Sequence, residues 1–308
     1  MKRKVFLCED MHPQALSLLA THCQITNDRH DLEQVEAIIT RNLKIDARFA
    51  ASCPMLKVVA IHGTGYDHVD VTALKKQGIT VFHVPGENAL SVAELTVGCI
   101  LNLARKINEA DRRLHQGEIL LPGTQGMMGM EISHKVLGLI GCGHIARLTA
   151  DILRLGFGMK VIAYSPSLNA EKASQWHLEK CHCPAEVFAR ANIVSIHCSL
   201  NEQTRHMVDY DMLSQAKKNC LVINTSRGDV IKEDDLYRAL KEGIIKAAAC
   251  DVFSDEPISQ DHPLLTLDNF LATPHIGATT EEALKRVGMK TVQGILDYFA
   301  GFSVDNRL

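Results

Sequence analysis

No run of apolar residues in the chain is long enough to span a bilayer, so no membrane-spanning helix is expected. The basic start, MKRKVFLCED, turns acidic after a few apolar residues and reads as a first strand, not a signal peptide. Neither sign of charge is in excess: 33 Lys and Arg stand against 36 Asp and Glu, a formal net charge of -3. That balance leaves no electrostatic footprint for nucleic acid or for an anionic membrane surface. Ten cysteines are present, but none form a C-x-x-C pair. Several (Cys8, Cys99, Cys198, Cys220, Cys250) sit in apolar surroundings as small core residues. Without a secretion signal they are expected to stay reduced, in the cytoplasm. The group His177, Cys181, His182, Cys183 lacks zinc-site spacing and reads as a solvated loop and strand, so no metal is expected. Low-complexity segments are absent too, as is any repeat beyond an echo between two α/β units.

What is present is an ordinary globular composition, 46% apolar and 22% charged, in 308 residues, enough for two domains. The organising stretch is Lys135–Asp151, KVLGLIGCGHIARLTAD. An apolar run, Val136 to Ile140, enters the turn Gly141-Cys142-Gly143 and leaves with apolar residues at helical spacing. This is strand, glycine turn and helix with a G-x-G-x-x-A fingerprint, in which Ala146 stands at the third glycine. Such a turn brings a helix N-terminus and unpaired N–H groups to a pyrophosphate, so the stretch predicts dinucleotide binding.

Before it, strands are expected at 3–8, 35–40, 57–61 and 79–84, with helices at 13–22 and 69–76. Asn88 to about Gln116 reads as one long helix, apolar on nearly every face at its start, and 116–130 as an irregular surface crossing. After it, strands are expected at 159–164, 193–197, 220–224, 247–250 and 270–272, with helices at 184–190, 209–216, 233–241 and 280–300. The fold class is therefore α/β, two Rossmann-like domains with doubly wound parallel sheets. A discontinuous substrate domain (1–98 with 279–308) would flank a dinucleotide-binding domain (99–278).

Ligands of open parallel sheets bind beyond the carboxyl ends of the strands. Thr225-Ser226-Arg227-Gly228 follows one strand, Asp251 to Pro257 the next, and Thr273-Pro274-His275-Ile276-Gly277 the last. Each residue has a bland alternative. Arg227 could be a solvated or capping cation, Glu256 a turn residue before proline, and His275 a structural histidine bonded to backbone. An arginine, a carboxylate and a histidine on one edge of a dinucleotide fold make coincidence a poor explanation.

The segments VLGLIGCGHIARLTA, NTSRGDVI, DVFSDEP and TPHIGATTEEA, with HGTGYDHVD and PGENALSVAELTVG earlier, resemble the D-isomer-specific 2-hydroxyacid dehydrogenase family, near its phosphoglycerate dehydrogenase-like branch. The resemblance runs through almost the whole chain. It implies an oxidoreductase that moves a hydride between a nicotinamide and C2 of a small D-2-hydroxy or 2-oxo acid. The substrate would be 3-phosphoglycerate-like or glyoxylate/hydroxypyruvate-like. Arg227 would clamp the substrate carboxylate and carbonyl, His275 would exchange the proton, and Glu256 would bond the other imidazole nitrogen. Gly141, Gly143, His144 and Ile145 would lie along the pyrophosphate. Thr225, Ser226, Asp251 and Gly277 would border the nicotinamide and its ribose, and Cys198 and Thr204 would also contact the cofactor. Thr64 and Gly65 would cradle the substrate carboxylate, and Arg41 stands near a position that often contacts substrate. The pocket would lie in a cleft that closes by hinge motion, and the active form would be a homodimer.

Three departures bear on these expectations: Ala146 at the third glycine, Ser199 where the family usually has proline, and Ser165 at the end of the second cofactor strand. NAD-users commonly carry Asp or Glu at that last position, and a serine neither grips both ribose hydroxyls nor repels a 2′-phosphate. NAD is the expected cofactor, with NADP the alternative. Because the chain ends at Leu308, no regulatory C-terminal domain is expected. Two competing functions keep the fold: a nucleotide-sensing, corepressor-like binding protein, and a dehydrogenase of an inorganic oxyanion such as phosphite.

Overall fold

The structure is a computed structural model that describes residues 2–119, 121–123 and 125–308. The crossing expected over 116–130 includes Leu120 and Thr124, which lie outside the described residues. The chain divides into two compact units, Met1–Asn88 with Ala278–Leu308, and Ala89–Gly277.

In the first unit the chain runs β1 (Arg3–Leu7), α1 (Pro13–His22), β2 (Cys23–Thr26), β3 (Ala37–Thr40), α2 (Ala47–Ala51), β4 (Val58–Ile61), α3 (Val71–Lys76) and β5 (Thr80–His83). The strands form a parallel sheet of order β2-β1-β3-β4-β5. The central strands β3 (AIIT) and β4 (VVAI) are apolar at nearly every position because both faces are covered. Ile38 and Val59 belong to the core on one face, Ala37, Ile39, Val58 and Ala60 to the core on the other.

The second unit begins with α4 (Ala89–Arg105) and α5 (Ile107–His115). The boundary expected at 98/99 falls inside α4, all of which belongs to this unit. The single long helix expected here is broken at Lys106, which adopts a left-handed conformation (φ 55°). The reason is tertiary. Met130 N–H donates to the Ala104 carbonyl (2.7 Å), while Asn108 N–H donates to the Asn102 side chain instead of continuing the ladder.

The unit continues with β6 (Val136–Ile140), α6 (His144–Phe157), β7 (Lys160–Tyr164), α7 (Ala170–Gln175), β8 (Glu179–Lys180) and α8 (Pro184–Arg190). Then come β9 (Ile193–Ile196), α9 (Tyr210–Ser214), β10 (Leu221–Asn224), α10 (Glu233–Lys241), β11 (Ala247–Cys250) and β12 (Phe270–Ala272). The parallel sheet has the order β12-β11-β10-β9-β6-β7-β8, so the strand order reverses at β6, where a doubly wound sheet opens a crevice. Leu137, Leu139, Ile193, Leu221 and Ile223 pack on one face, and Ile140, Val194, Ile196 and Val222 on the other.

The last helix, α11 (Glu281–Phe299), returns to the first unit. Two glycines permit its close packing there. A Cβ at Gly294 would stand 2.6 Å from the Phe82 ring, and one at Gly288 would stand 2.9 Å from the Ala15 methyl. Among the described residues, no helix is long and apolar enough to cross a membrane.

Candidate active site

The glycine turn after β6 has the shape its sequence demands. Gly141 takes φ 97°, a conformation that side chains rarely adopt. Its Cα stands against the end of β9, where a Cβ would come within 2.8 Å of the His197 carbonyl and the Cys198 nitrogen. Gly143 caps α6 without any side-chain bond, and nothing lies within 4 Å of where its Cβ would be. The first turn of a 14-residue helix, with exposed His144 and half-buried Ile145, is thus left open beside a bare glycine. This fits a dinucleotide pyrophosphate, which needs backbone N–H donors and no side chain in the way. Thr204 lies in the turn after β9, where its hydroxyl donates to the Ser199 carbonyl (2.7 Å). Ser165, just past β7, has its hydroxyl 3.2 Å from that of Ser167.

Two buried polar residues brace the next strand-end loops, Asn224 within the loop after β10 and Asp251 between those after β11 and β12. Asn224, 1% exposed at the end of β10, accepts from the Ser226 N–H (3.0 Å) and hydroxyl (2.8 Å) and donates to the Arg227 carbonyl (2.9 Å). Asp251, 2% exposed at the end of β11, accepts from the Thr273 hydroxyl (2.6 Å), Ile276 N–H (2.8 Å) and Gly277 N–H (2.8 Å). Its backbone carbonyl takes the His275 N–H (2.7 Å). His275 sits at φ 53°, a left-handed conformation uncommon for a residue with a side chain, and these bonds hold it there. A Cβ on Gly277 would lie 2.9 Å from the Asp251 carboxylate, so the bare glycine lets its N–H reach that oxygen. Thr225 is buried, with its hydroxyl 3.0 Å from that of Thr96 on α4.

Gly228 has the tightest surroundings of this group. A Cβ there would overlap the Phe253 carbonyl and the Ser254 nitrogen, so the turns after β10 and β11 touch backbone to backbone. This approach brings Arg227 into the electrostatic field of Glu256. One Glu256 oxygen accepts from Phe253 N–H (2.9 Å), and the other lies 2.6 Å from Nδ1 of His275. Burial alone would raise the Glu256 carboxyl. The hydrogen bonds from His275 and Phe253, with the charges of His275 and Arg227, outweigh it and hold the group below its usual range. A carboxylate can only accept, so Nδ1 carries the proton and Nε2 is left for exchange with a ligand.

In the first unit, Arg41 follows β3, and Thr64 and Gly65 follow β4 at the same edge of the sheet. Three backbone N–H groups, of Arg41, Asn42 and Leu43, bond the Glu9 carboxylate at 2.8, 2.8 and 3.1 Å. The Arg41 guanidinium lies 3.0 Å from Nδ1 of His62. The Thr64 hydroxyl meets Asn88 (3.3 Å), and its carbonyl meets the His83 ring (2.8 Å). Sequence reasoning did not single out Asn224, Gly228 or His62. For Gly228 the signal was available, a glycine directly after the arginine of a strand-end turn. Among the described residues, no three His, Cys, Asp or Glu side chains gather as a metal site.

Comparisons with known proteins place the chain in a family. Residues 97–277 match the NAD binding domain model of the D-isomer specific 2-hydroxyacid dehydrogenases. A hydroxypyruvate reductase of Thermotoga maritima is 35% identical over 92% of this chain and 92% of its own length. A D-3-phosphoglycerate dehydrogenase of Methanocaldococcus jannaschii is 35% identical over 98% of this chain but only 59% of its own, so the chain spans less than two thirds of that relative. Among solved structures, a D-lactate dehydrogenase of Aquifex aeolicus complexed with NAD and lactic acid superposes with a TM-score of 0.86. It is 26% identical and covers 97% of this chain and 96% of its own. The glycine turn at the strand reversal therefore lies in an NAD-binding domain, and the chain belongs to the D-isomer specific 2-hydroxyacid dehydrogenase family.

Proposed function

We propose that the protein interconverts a small D-2-hydroxy acid and its 2-oxo acid with a nicotinamide cofactor, and that His275 is the acid and base. The observation that carries this reading is the 2.6 Å contact between Nδ1 of His275 and Glu256, on the same strand-end platform as Arg227. When bound, the nicotinamide supplies the hydride to C2 in reduction and takes it back in oxidation. In reduction, His275 gives the Nε2 proton to the carbonyl oxygen as it becomes a hydroxyl, and Glu256 keeps the Nδ1 proton in place throughout. Arg227 binds the acid carboxylate and the reacting oxygen with its planar fork, stabilising the charge that builds on that oxygen. In oxidation the same atoms act in reverse. Gly141, Gly143, His144 and Ile145 would hold the cofactor pyrophosphate, and Ser165 would face its adenosine ribose.

The relatives named a hydroxypyruvate reductase and a D-3-phosphoglycerate dehydrogenase support a 2-oxo acid whose C3 carries a hydroxyl or a phosphate. The decisive experiment follows NADH and NADPH oxidation spectrophotometrically with glyoxylate, hydroxypyruvate and 3-phosphohydroxypyruvate. Turnover of at least one acid is expected. Turnover of none, with phosphite oxidised instead or no reaction at all, overturns the reading.

A homodimer belongs to the same proposal. Its support is a run of exposed apolar side chains on and after α5: Ile107 (55%), Leu114 (57%), Ile119 (90%), Leu121 (72%) and Met128 (75%). Light scattering that returns only monomer mass at micromolar concentration refutes it.

A further inference from the structure

His62 is a buried histidine that the chemistry above does not use. It directly follows β4, beside Arg41 at the end of β3, and its N–H bonds the Thr40 carbonyl (2.7 Å). The residue is 6% exposed. A guanidinium can only donate, so Nδ1 of His62 must be the acceptor in the 3.0 Å contact with Arg41. The ring proton then sits on Nε2. That atom is buried, with no hydrogen-bond partner among the described residues, and a Cβ on Gly288 of α11 would lie 3.6 Å from it.

An orphaned N–H in a core is destabilising, and an apolar side chain would avoid it. What the histidine supplies in return is a fixed acceptor for Arg41. Burial, with the Arg41 charge beside it, pushes the His62 imidazole down to about 3, so it stays a neutral acceptor at any ordinary pH. Glu9 already fixes the Arg41 backbone, and the side chain itself is half-buried. Arg41 is therefore held at both ends. Its fork has five donors, and among the described residues its one side-chain hydrogen bond is to His62.

We infer that His62 is a positioning residue for substrate binding: it fixes the Arg41 guanidinium at the carboxyl edge of the first sheet, so that the donors left over meet an anionic group of the 2-oxo acid. This rests on the proposed 2-oxo acid chemistry and on Arg41 touching the substrate. The anionic group is either the acid carboxylate, common to all three test acids, or a C3 phosphate, present in one.

The test is a kinetic double-mutant cycle on the full-length protein with glyoxylate, hydroxypyruvate and 3-phosphohydroxypyruvate. His62→Ala should raise KM about tenfold with kcat within about twofold. His62→Asn, which keeps an acceptor where Nδ1 stood, should recover most of that loss. In an Arg41→Ala background, His62→Ala should add nothing further to KM. A rise for all three acids assigns the carboxylate, and a rise for 3-phosphohydroxypyruvate alone assigns the phosphate. If Arg41→Ala raises KM but His62→Ala does not, or if His62→Ala raises it equally in both backgrounds, the positioning role is wrong while the Arg41 contact stands. If Arg41→Ala leaves KM unchanged for every acid, the contact itself is wrong and the inference falls with it. Turnover of none of the acids removes the chemistry beneath both.

Discussion

Replacing Gly228 with alanine tests whether the active edge depends on backbone-to-backbone contact between two turns. Gly228 does not have a positive φ, so the new methyl group would meet no conformational barrier of its own. The obstacle is spatial: all three nearest atoms, Phe253 C, Phe253 O and Ser254 N, would lie well under 3.0 Å from the Cβ. They are backbone atoms, and Ser254 N–H is itself held by Glu233 on α10 (2.8 Å), so no flexible side chain can give way. With Phe253 C only 1.9 Å from the new Cβ, restoring ordinary contact requires the turns after β10 and β11 to part by roughly 1.5 Å. Overpacking of a rigid core costs up to about 3 kcal/mol, and an immobile backbone puts Gly228→Ala at that upper end. The same displacement moves Arg227 relative to Glu256, and a shift of about 1 Å at reacting groups lowers turnover about 100-fold. Trp176, the single tryptophan, lies in the second unit and reports its unfolding in urea by fluorescence. Gly156→Ala is the internal control. It lies in α6 with nothing within 4 Å of its Cβ position, and should stabilise by up to about 1 kcal/mol. A Gly228→Ala protein whose urea midpoint is unchanged and whose kcat/KM stays within twofold of the parent would refute the reasoning.

Three further outcomes are expected. His275→Asn should lower kcat by a factor of about 100 to 10,000 while NADH affinity, read by fluorescence titration, stays within a few fold; comparable turnover sinks the acid/base role. Ser165→Asp should shift the NAD/NADP preference toward NAD by roughly tenfold, because a carboxylate repels a 2′-phosphate; an unchanged ratio shows that Ser165 does not face the ribose. Stability should fall on mild acidification. Burial holds His62 at about 3 and His197 at about 4 against an unperturbed 6.5, so below pH 6.5 the unfolded chain binds protons that the folded chain refuses. Each histidine then removes about 2 kcal/mol between pH 7 and pH 5. His62 lies in the first unit, so His62→Asn should flatten the fall in that unit's urea midpoint, followed by far-ultraviolet circular dichroism, and an equally steep fall in this variant refutes the His62 share.

Legibility in the sequence followed burial. Strands covered on both faces, such as Val136–Ile140 and Leu221–Asn224, announce themselves as apolar runs bounded by glycine or polar turns. The edge strands β2 (CQIT) and β8 (EK) carry no such run, since one side of each faces away from the sheet, and neither was anticipated. Nor was α7, six residues with only Ala173 buried, which leaves no stripe to read. The break at Lys106 was invisible because the apolar spacing continues through it; the Ala104 carbonyl, captured by the distant Met130, decides it. The turns after the last three strands were legible because strand ends of a parallel sheet share an edge by topology alone. His62 was not, because a histidine after a strand looks the same whether it is solvated or bonded to an arginine 21 residues earlier.

Asp251 and Asn224 show why position in sequence and task in structure separate. Both stand at strand ends among residues proposed to meet ligands, and each is at most 2% exposed and bonds protein groups. Asp251 takes three donors from the turn that carries His275, and Asn224 fastens both flanks of the turn that carries Arg227. The side chains proposed to react are the less buried ones, with His275 and Glu256 exposed by 38% and 33%. A left-handed histidine costs on the order of 1–3 kcal/mol and persists only where its surroundings over-determine it. Here the over-determination is a buried carboxylate and a backbone carbonyl of the same residue, Asp251. Holding the imidazole through its backbone leaves the ring, among the described residues, with one hydrogen bond, to Glu256. Nε2 can then gain and lose a proton without any structural bond being broken, which is the condition for one residue to serve as acid in one direction and base in the other.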